Sequence, residues 1–299
     1  MATQDNEVSS LPGQASEVKE SDSNLIAKDA SVIPLDQPTV PHARSTGARR
    51  WVSLLVIIAA IGIWQLLTAT QLVSAIALPA PLSVLHDLQT LLTTGVADKT
   101  LLDDIWVSAL RVATGFVAAV VIGVPIGIWM ARSDIIFNII DPFMQFIRPV
   151  PPLAYIPLLV VWMGIGELPK VVLILVGTLP IIIISTASGV RNTPIGRIRV
   201  AQCLGASPLQ LFFYTILPSA LPEVFTGMRV GIGIAWSCLV AAELIAADAG
   251  LGWLVQYAGQ QLQVGFIFVG IIAIGLLGYA MELVIRLLEK LAVPWKGHV

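Results

Sequence analysis

Apolar residues run through this chain in long unbroken blocks, and polar residues are confined to short interruptions between them. Six such blocks follow Trp51, near 51–73, 105–131, 135–163, 170–190, 221–247 and 264–288. A helix needs roughly 20 apolar residues to cross the hydrocarbon core of a bilayer, so the pattern predicts an all-α polytopic membrane protein with six transmembrane helices. Between the first two blocks, Leu78-Pro-Ala-Pro81 is followed by Leu82, Leu85, Leu88 and Leu92 at helical spacing, which predicts an amphipathic helix lying on the membrane surface. No internal repeat is evident.

Composition agrees with the pattern. The chain is 56% hydrophobic and 12% charged, with a mean hydropathy of +0.85, which no soluble domain of this length sustains. Residues 1 to about 45 are a separate object. They carry Asp5, Glu7, Glu17, Glu20, Asp22, Asp29 and Asp36 against Lys19 and Lys28, with many Ser, Gln and Pro, and read as a disordered acidic tail. A long acidic stretch ahead of the first apolar block does not fit a cleaved signal peptide. The net charge of -2 comes from that tail, so nothing here suggests a nucleic-acid partner. Cys203 and Cys238 have no metal or disulfide spacing, and His42, His86 and His298 all fall outside the spans.

Charge in the connections predicts orientation. With the N-terminus in the cytoplasm, the inner segments hold Arg44, Arg49, Arg50, Arg132, Arg191, Arg197, Arg199, Arg286, Lys290 and Lys296, and the outer ones only Lys99 and Lys170. Cytoplasmic segments are enriched in Lys and Arg, so both termini and the segment 197–218 are expected in the cytoplasm.

That segment has a readable local design. Gly205 permits a turn between two short helices. Ser207-Pro208 suits the start of the second, with serine as cap and proline at the first helical position. Pro218 and Pro222 are expected to end that helix and launch the next span.

Two intramembrane stretches stand out. In Arg148-Pro-Val-Pro151-Pro152-Leu-Ala-Tyr155-Ile-Pro157 the crowded prolines remove backbone donors and prevent a regular helix. Irregular backbone at membrane depth belongs where protein or a water-filled cavity receives it. Arg148, Pro151, Pro152 and Tyr155 are therefore candidate lining of a translocation pathway, with Arg148 as attractor of an anion. Around Val240-Ala-Ala-Glu243-Leu, small residues allow close helix approach. Glu243 is expected to face the bundle interior, where structural pairing with Arg229, Arg148 or Arg111 competes with a place on the pathway. Asp248-Ala-Gly250-Leu-Gly252-Trp253 reads as an outer loop.

Taken together, Arg148-Pro-Val-Pro-Pro-Leu-Ala-Tyr-Ile-Pro-Leu, Gly164-Ile-Gly-Glu, Gln202-Cys-Leu-Gly-Ala-Ser, Ile216-Leu-Pro-Ser-Ala-Leu-Pro, Val240-Ala-Ala-Glu-Leu-Ile-Ala-Ala and Pro294-Trp-Lys-Gly closely resemble the permease subunits of taurine importers, within the nitrate, sulfonate and bicarbonate import family. The resemblance covers about residues 51–297, with a core at 105–288, and excludes the acidic tail. It implies a type I importer permease fold and no catalysis in this chain. It also implies a cytoplasmic coupling loop at about 197–218, in which Ala201, Gly205, Ala206, Ser207, Leu217 and Pro218 engage an ATP-binding-cassette ATPase. One departure from the family pattern is Arg199-Val200-Ala201, where Glu-Ala-Ala is usual. The implied assembly is two copies of this chain with two ATPase subunits in a bacterial inner membrane, fed by an extracytoplasmic solute-binding protein. ATP and magnesium belong to the ATPase, since this chain has no Gly-Lys-Ser/Thr phosphate loop. The cargo is expected to be a small sulfonate, taurine first, with other alkanesulfonates, nitrate or bicarbonate as alternatives. An ion-coupled secondary transporter is a rival of another class. It is disfavoured by the lack of repeats and of many intramembrane ionisable groups. A membrane enzyme is a further rival, disfavoured by the lack of any nucleophile–base cluster.

Overall fold

The computed structural model describes residues 46–74 and 77–295. The acidic stretch 1–45 and the C-terminal 296–299, with Arg44 and Lys296, lie outside the described residues. The chain divides into two compact units, Met1–Ile58 and Ala59–Val299. Of the first, the described part is the beginning of helix α1 (Thr46–Ala69).

The regular structure of the second unit is helical among its described residues, apart from one isolated bridge between Val96 and Lys99. Its centre is a row of three long helices, α3 (Leu101–Arg132), α6 (Glu167–Arg191) and α9 (Leu217–Ala246). Helix α3 starts with a reciprocal cap between Thr100 and Asp103 and places Asp103 and Asp104 in the first turn, where acidic residues complement the helix dipole. Small residues at every fourth position of α3, Gly115, Ala119, Gly123 and Gly127, let α6 come close. A Cβ at Gly115 would lie 2.7 Å from Ile174, and one at Gly127 would lie 2.6 Å from Thr186. On its other side α6 meets α9 in the same way, with a Cβ at Gly227 falling 2.3 Å from Ser185. In lipid no hydrophobic force drives helices together, so such close backbone approach is what holds the row.

Burial is inverted relative to a soluble protein. Trp106, Leu110, Val117, Val121 and Trp129 of α3 are exposed, whereas Asp104, Ser108, Arg111, Lys170 and Glu243 are buried. Four helices among the described residues are long and apolar enough to span a bilayer: Leu101–Arg132, Glu167–Arg191, Pro208–Ala246 and Val264–Ala292. A fifth forms if the pair Asp134–Ile147 and Pro152–Met163, bent by 90°, is counted as one span. The expected sixth, α1, is a helix of 24 residues that is uncharged after Arg50; several of its side chains before Ile58 lie outside the described residues, and from Ile58 to Ala69 it is apolar. The bent pair consists of α4 (Asp134–Ile147), a 3-10 turn (Pro152–Tyr155) and α5 (Ile156–Met163). Its break falls at the prolines from Pro149 to Pro152.

Three features differ from the sequence expectation. Helix α2 (Pro81–Thr93) forms, but its inward residues are Val84 and Leu91, which pack with Leu251, Leu254 and Val269. Leu82, Leu85 and Leu92 are exposed, so one face of α2 is committed to the bundle. The stretch predicted as an outer loop contains helix α10 (Leu251–Gln260), whose Leu251, Leu254 and Ala258 are buried. It leads into α11 (Val264–Ala292). Finally, Pro218 and Pro222 end nothing. After α7 (Ile195–Cys203), the short α8 (Pro208–Leu211) runs through a π-helical turn, Phe212–Ile216, straight into α9. A π turn leaves carbonyls without their usual partners four residues on, and a proline, which has no N–H to donate, fits at its exit.

Candidate functional site

At the end of the bundle carrying Arg132 and Arg191, the segment 195–219 projects between α6 and α9. Helix α7 closes at Gly205, whose φ of +82° lies in the left-handed region. The Gly205 N–H donates to Gln202 O at 3.0 Å and the Ala206 N–H to Ala201 O at 3.1 Å, which satisfies the last carbonyls of the helix. Ser207 caps α8 in a reciprocal pair with Gln210, and Pro208 takes the first turn. Arg197 reaches Ser219 at 3.3 Å, and the Arg132 guanidinium lies 5.1 Å from the Phe212 ring. Arg191 is held between Asp134, at 3.0 Å, and the face of Phe137. A cavity of about 610 Å³ lined by Arg197, Ala201, Leu204, Tyr214, Pro218 and Trp295 opens beside them. Leu204 is 83% exposed and Tyr214 81%, so this end presents apolar side chains to its surroundings. Ala201 and Pro218 meet at this cavity, Gly205, Ala206 and Ser207 form the link, and Leu217 opens α9.

The proline break builds a second cavity, of about 290 Å³, against α6 and α9. Arg148, Pro152 and Tyr155 line it together with Gly177, Pro180 and Val230. Pro152 packs so closely on α6 that a Cβ at Gly177 would lie 3.2 Å from its ring. Arg148 is exposed and forms no ion pair among the described residues. Pro151 stands at the bend as the residue before the 3-10 turn.

Glu243 is elsewhere. It is 1% exposed and belongs to a buried polar network at the opposite end from Arg132 and Arg191. Its Oε1 accepts from Arg111 Nη1 at 2.7 Å and from Ser108 Oγ at 2.8 Å, and its Oε2 accepts from the Gly252 N–H at 2.9 Å. Arg111 also grips Glu167 with two hydrogen bonds, at 2.5 and 2.6 Å, and donates to Ala249 O at 2.7 Å. Asp104 accepts from the Gly250 N–H at 2.7 Å, and Ser108 accepts from the Leu251 N–H at 2.9 Å. The glycines of Gly250-Leu-Gly252 follow from this geometry: a Cβ at Gly250, where φ is +114°, would lie 2.3 Å from Glu243 Oε1. Of the three partners considered for Glu243, the structure selects Arg111. The roles of Ser108, Glu167 and Lys170 were not read from sequence. Their signal was charge at a helix end flanked by apolar residues, Glu167-Leu-Pro-Lys170, which a loop count files as surface.

Residues 123–294 match the model of a family described as the inner membrane component of binding-protein-dependent transport systems. The chain is 43% identical over 238 residues, covering 79% of it and 86% of the relative, to the taurine transport system permease protein TauC of Escherichia coli (strain K12). It is 32% identical, over 78% of its length and 85% of the relative's, to the nitrate import permease protein NrtB of Synechocystis sp. (strain ATCC 27184 / PCC 6803 / Kazusa). In fold it is similar to a chain of the MetNI methionine ABC transporter in an inward-facing conformation. That match has a TM-score of 0.51 and 20% identity, and covers 62% of this chain and 94% of that one. A family defined by transport sets aside the membrane-enzyme reading, and its dependence on binding proteins sets aside the ion-coupled carrier. This chain belongs to the family of inner membrane permease components of binding-protein-dependent ABC transport systems.

Proposed function

We propose that this chain forms the translocation pathway of an ATP-driven importer for a small sulfonate, taurine above all, handed over by an extracytoplasmic binding protein. The observation that carries the cargo is the 43% identity to a taurine permease along most of both chains. Two copies of the chain related by a two-fold axis enclose the route. Two ATPase subunits, which hold ATP and magnesium, dock on the segment 197–218 at the cytoplasmic face, where Ala201, Gly205, Ala206, Ser207, Leu217 and Pro218 form the contact. Support for that role is the exposed apolar surface at Leu204 and Tyr214, set on a capped helix–turn–helix and continuous with α9 through the π turn. The cavity of Arg148, Pro152 and Tyr155 lies on the route, with Arg148 offering its forked donors to the sulfonate oxygens. Pro151 sets the bend, and Glu243 supports the route through Arg111 without touching cargo.

Deleting the gene should abolish growth on taurine, but not on sulfate, as sole sulfur source. Growth on taurine unchanged in the deletion refutes the cargo. The likeness to a nitrate permease makes nitrate the second reading, with bicarbonate and other alkanesulfonates beside it. Loss of nitrate uptake with normal taurine growth would establish the nitrate reading instead.

A further inference from the structure

Beside the Glu243 network lies a cavity of about 830 Å³, walled by Leu153, Pro157, Val160 and Ile245 and carrying Glu167, Lys170 and Asp248. Lys170 is 3% exposed. Its ammonium has three donors and fills one, to Glu167 Oε1 at 3.0 Å, with no other partner among the described residues. A buried ammonium with two donors unfilled is costly, and Lys170 is among the residues that line the cavity. Asp248 lines the same cavity, is exposed, and its carboxylate takes no hydrogen bond or ion pair among the described residues. The nearby Lys99 is directed to the backbone carbonyl of Asp248 and lies 5.4 Å from the Trp253 ring centroid. Glu167 is already engaged by Arg111 through both oxygens. The cavity therefore carries a buried cation with spare donors and an exposed carboxylate that has no protein partner among the described residues, with apolar residues in its wall.

We propose that this cavity is a subsite for a small zwitterion, Lys170 taking the sulfonate and Asp248 the ammonium of an ω-aminosulfonate. The proposal rests on the sulfonate reading above and deepens it. A plain anion such as nitrate or an alkanesulfonate gains at Lys170 but meets Asp248 as a like charge. An aminosulfonate is complementary at both ends. The permease itself thus discriminates among sulfonates before cargo reaches the Arg148 cavity. The apolar wall accepts the two methylenes between the charged ends and makes no polar demand of its own.

The test uses the purified permease–ATPase complex without binding protein, so that selection by the latter does not enter. Radiolabelled taurine should bind, and ethanesulfonate, which lacks the amine, should displace it on the order of tenfold less well than taurine itself. Asp248→Asn should bring the two ligands to within about threefold, by weakening taurine and relieving the repulsion of ethanesulfonate. Lys170→Met should lose both, and Lys170→Arg should restore binding of both. Because Asp248 is exposed, its amide variant does not depend on refolding a core. Unchanged preference in Asp248→Asn overturns the proposal, as does absence of taurine binding to the wild-type complex. Uptake of taurine into vesicles supplied with loaded binding protein separates the two levels. If uptake persists while the complex shows no amine preference, the subsite fails and the function stands. If uptake also fails, the sulfonate reading falls with it.

Discussion

Among single residues, Arg111 and Glu243 define the sharpest energetic contrast. Both are buried, and among the described residues Glu243 has no oppositely charged partner other than Arg111, whereas Arg111 keeps Glu167 if Glu243 is neutralised. Removing one member of a buried pair leaves an uncompensated charge and costs about 3–5 kcal/mol. Arg111→Met is therefore expected to lower the thermal unfolding temperature of the detergent-solubilised permease sharply or to deplete it from the membrane. Glu243→Gln, which retains an acceptor for Ser108 and Gly252, is expected to cost about 1–2 kcal/mol. Equal destabilisation by the two would mean that Arg111 is not the hub of the network. Arg148 is the opposite case, exposed and without an ion pair among the described residues, so its replacement should leave stability alone. If it meets cargo, Arg148→Lys raises the half-saturating concentration for uptake and Arg148→Leu nearly stops it, with ATPase docking intact. Normal transport by Arg148→Leu in reconstituted vesicles would remove Arg148 from the pathway.

At the level of elements, the coupling segment shows how far local rules reach. The Ser207-Pro208 start was legible because capping depends only on neighbouring residues, and the glycine turn was legible because left-handed backbone favours glycine. The proline break was legible for the same reason. What local rules could not give was continuity. Pro218 and Pro222 carry the signature of a helix end, yet Pro218 sits just past the π turn at Phe212–Ile216, where its missing N–H is tolerated, and Pro222 lies inside α9 without ending it. Nor could they give α10, where Gly250 before the helix and Gly252 in its first turn read as a loop, although Glu243 occupies the space their missing side chains leave. Gly205 is the position where the local rule makes a measurable claim. Nothing lies within 4 Å of a Cβ placed there, so the only folding cost of a substitution is the left-handed backbone, about 1–2 kcal/mol. Gly205→Asn should transport normally, since asparagine tolerates that conformation. Gly205→Glu should reach the membrane at normal level yet abolish uptake by placing a bulky charge at the ATPase contact. Normal transport by Gly205→Glu would show that this loop does not transmit ATP hydrolysis.

At the scale of the whole molecule, the fold separates its charge into two ends. Arg132, Arg191, Arg197 and Arg199 gather around the coupling segment, while Lys99, Asp104, Glu167 and Asp248 gather around the Arg111 network at the other end of α3, α6 and α9. The segregation follows from apolar spans of sufficient length between polar ends, which is why sequence periodicity anticipated most of it. In the first span, Arg49 and Arg50 stand at the start of α1, and no charged residue follows them to Ala69. If positive charge marks the cytoplasmic side, the proposed coupling segment lies inside and the proposed zwitterion cavity outside. That orientation is open to a direct test, since Asp98 and Arg197 are both exposed and are expected on opposite sides of the membrane. Cys203 is exposed and must be replaced first; Cys238 is buried, and alanine keeps its small volume between helices. In that background, a membrane-impermeant maleimide applied to intact cells should label Asp98→Cys and spare Arg197→Cys, and permeabilisation should make the second reactive. If Arg197→Cys is labelled in intact cells, the coupling segment faces away from any cytoplasmic ATPase. The ATPase contact, the import direction and the placement of the Lys170–Asp248 cavity at the entrance then fail together, because all three depend on which way the same three helices point.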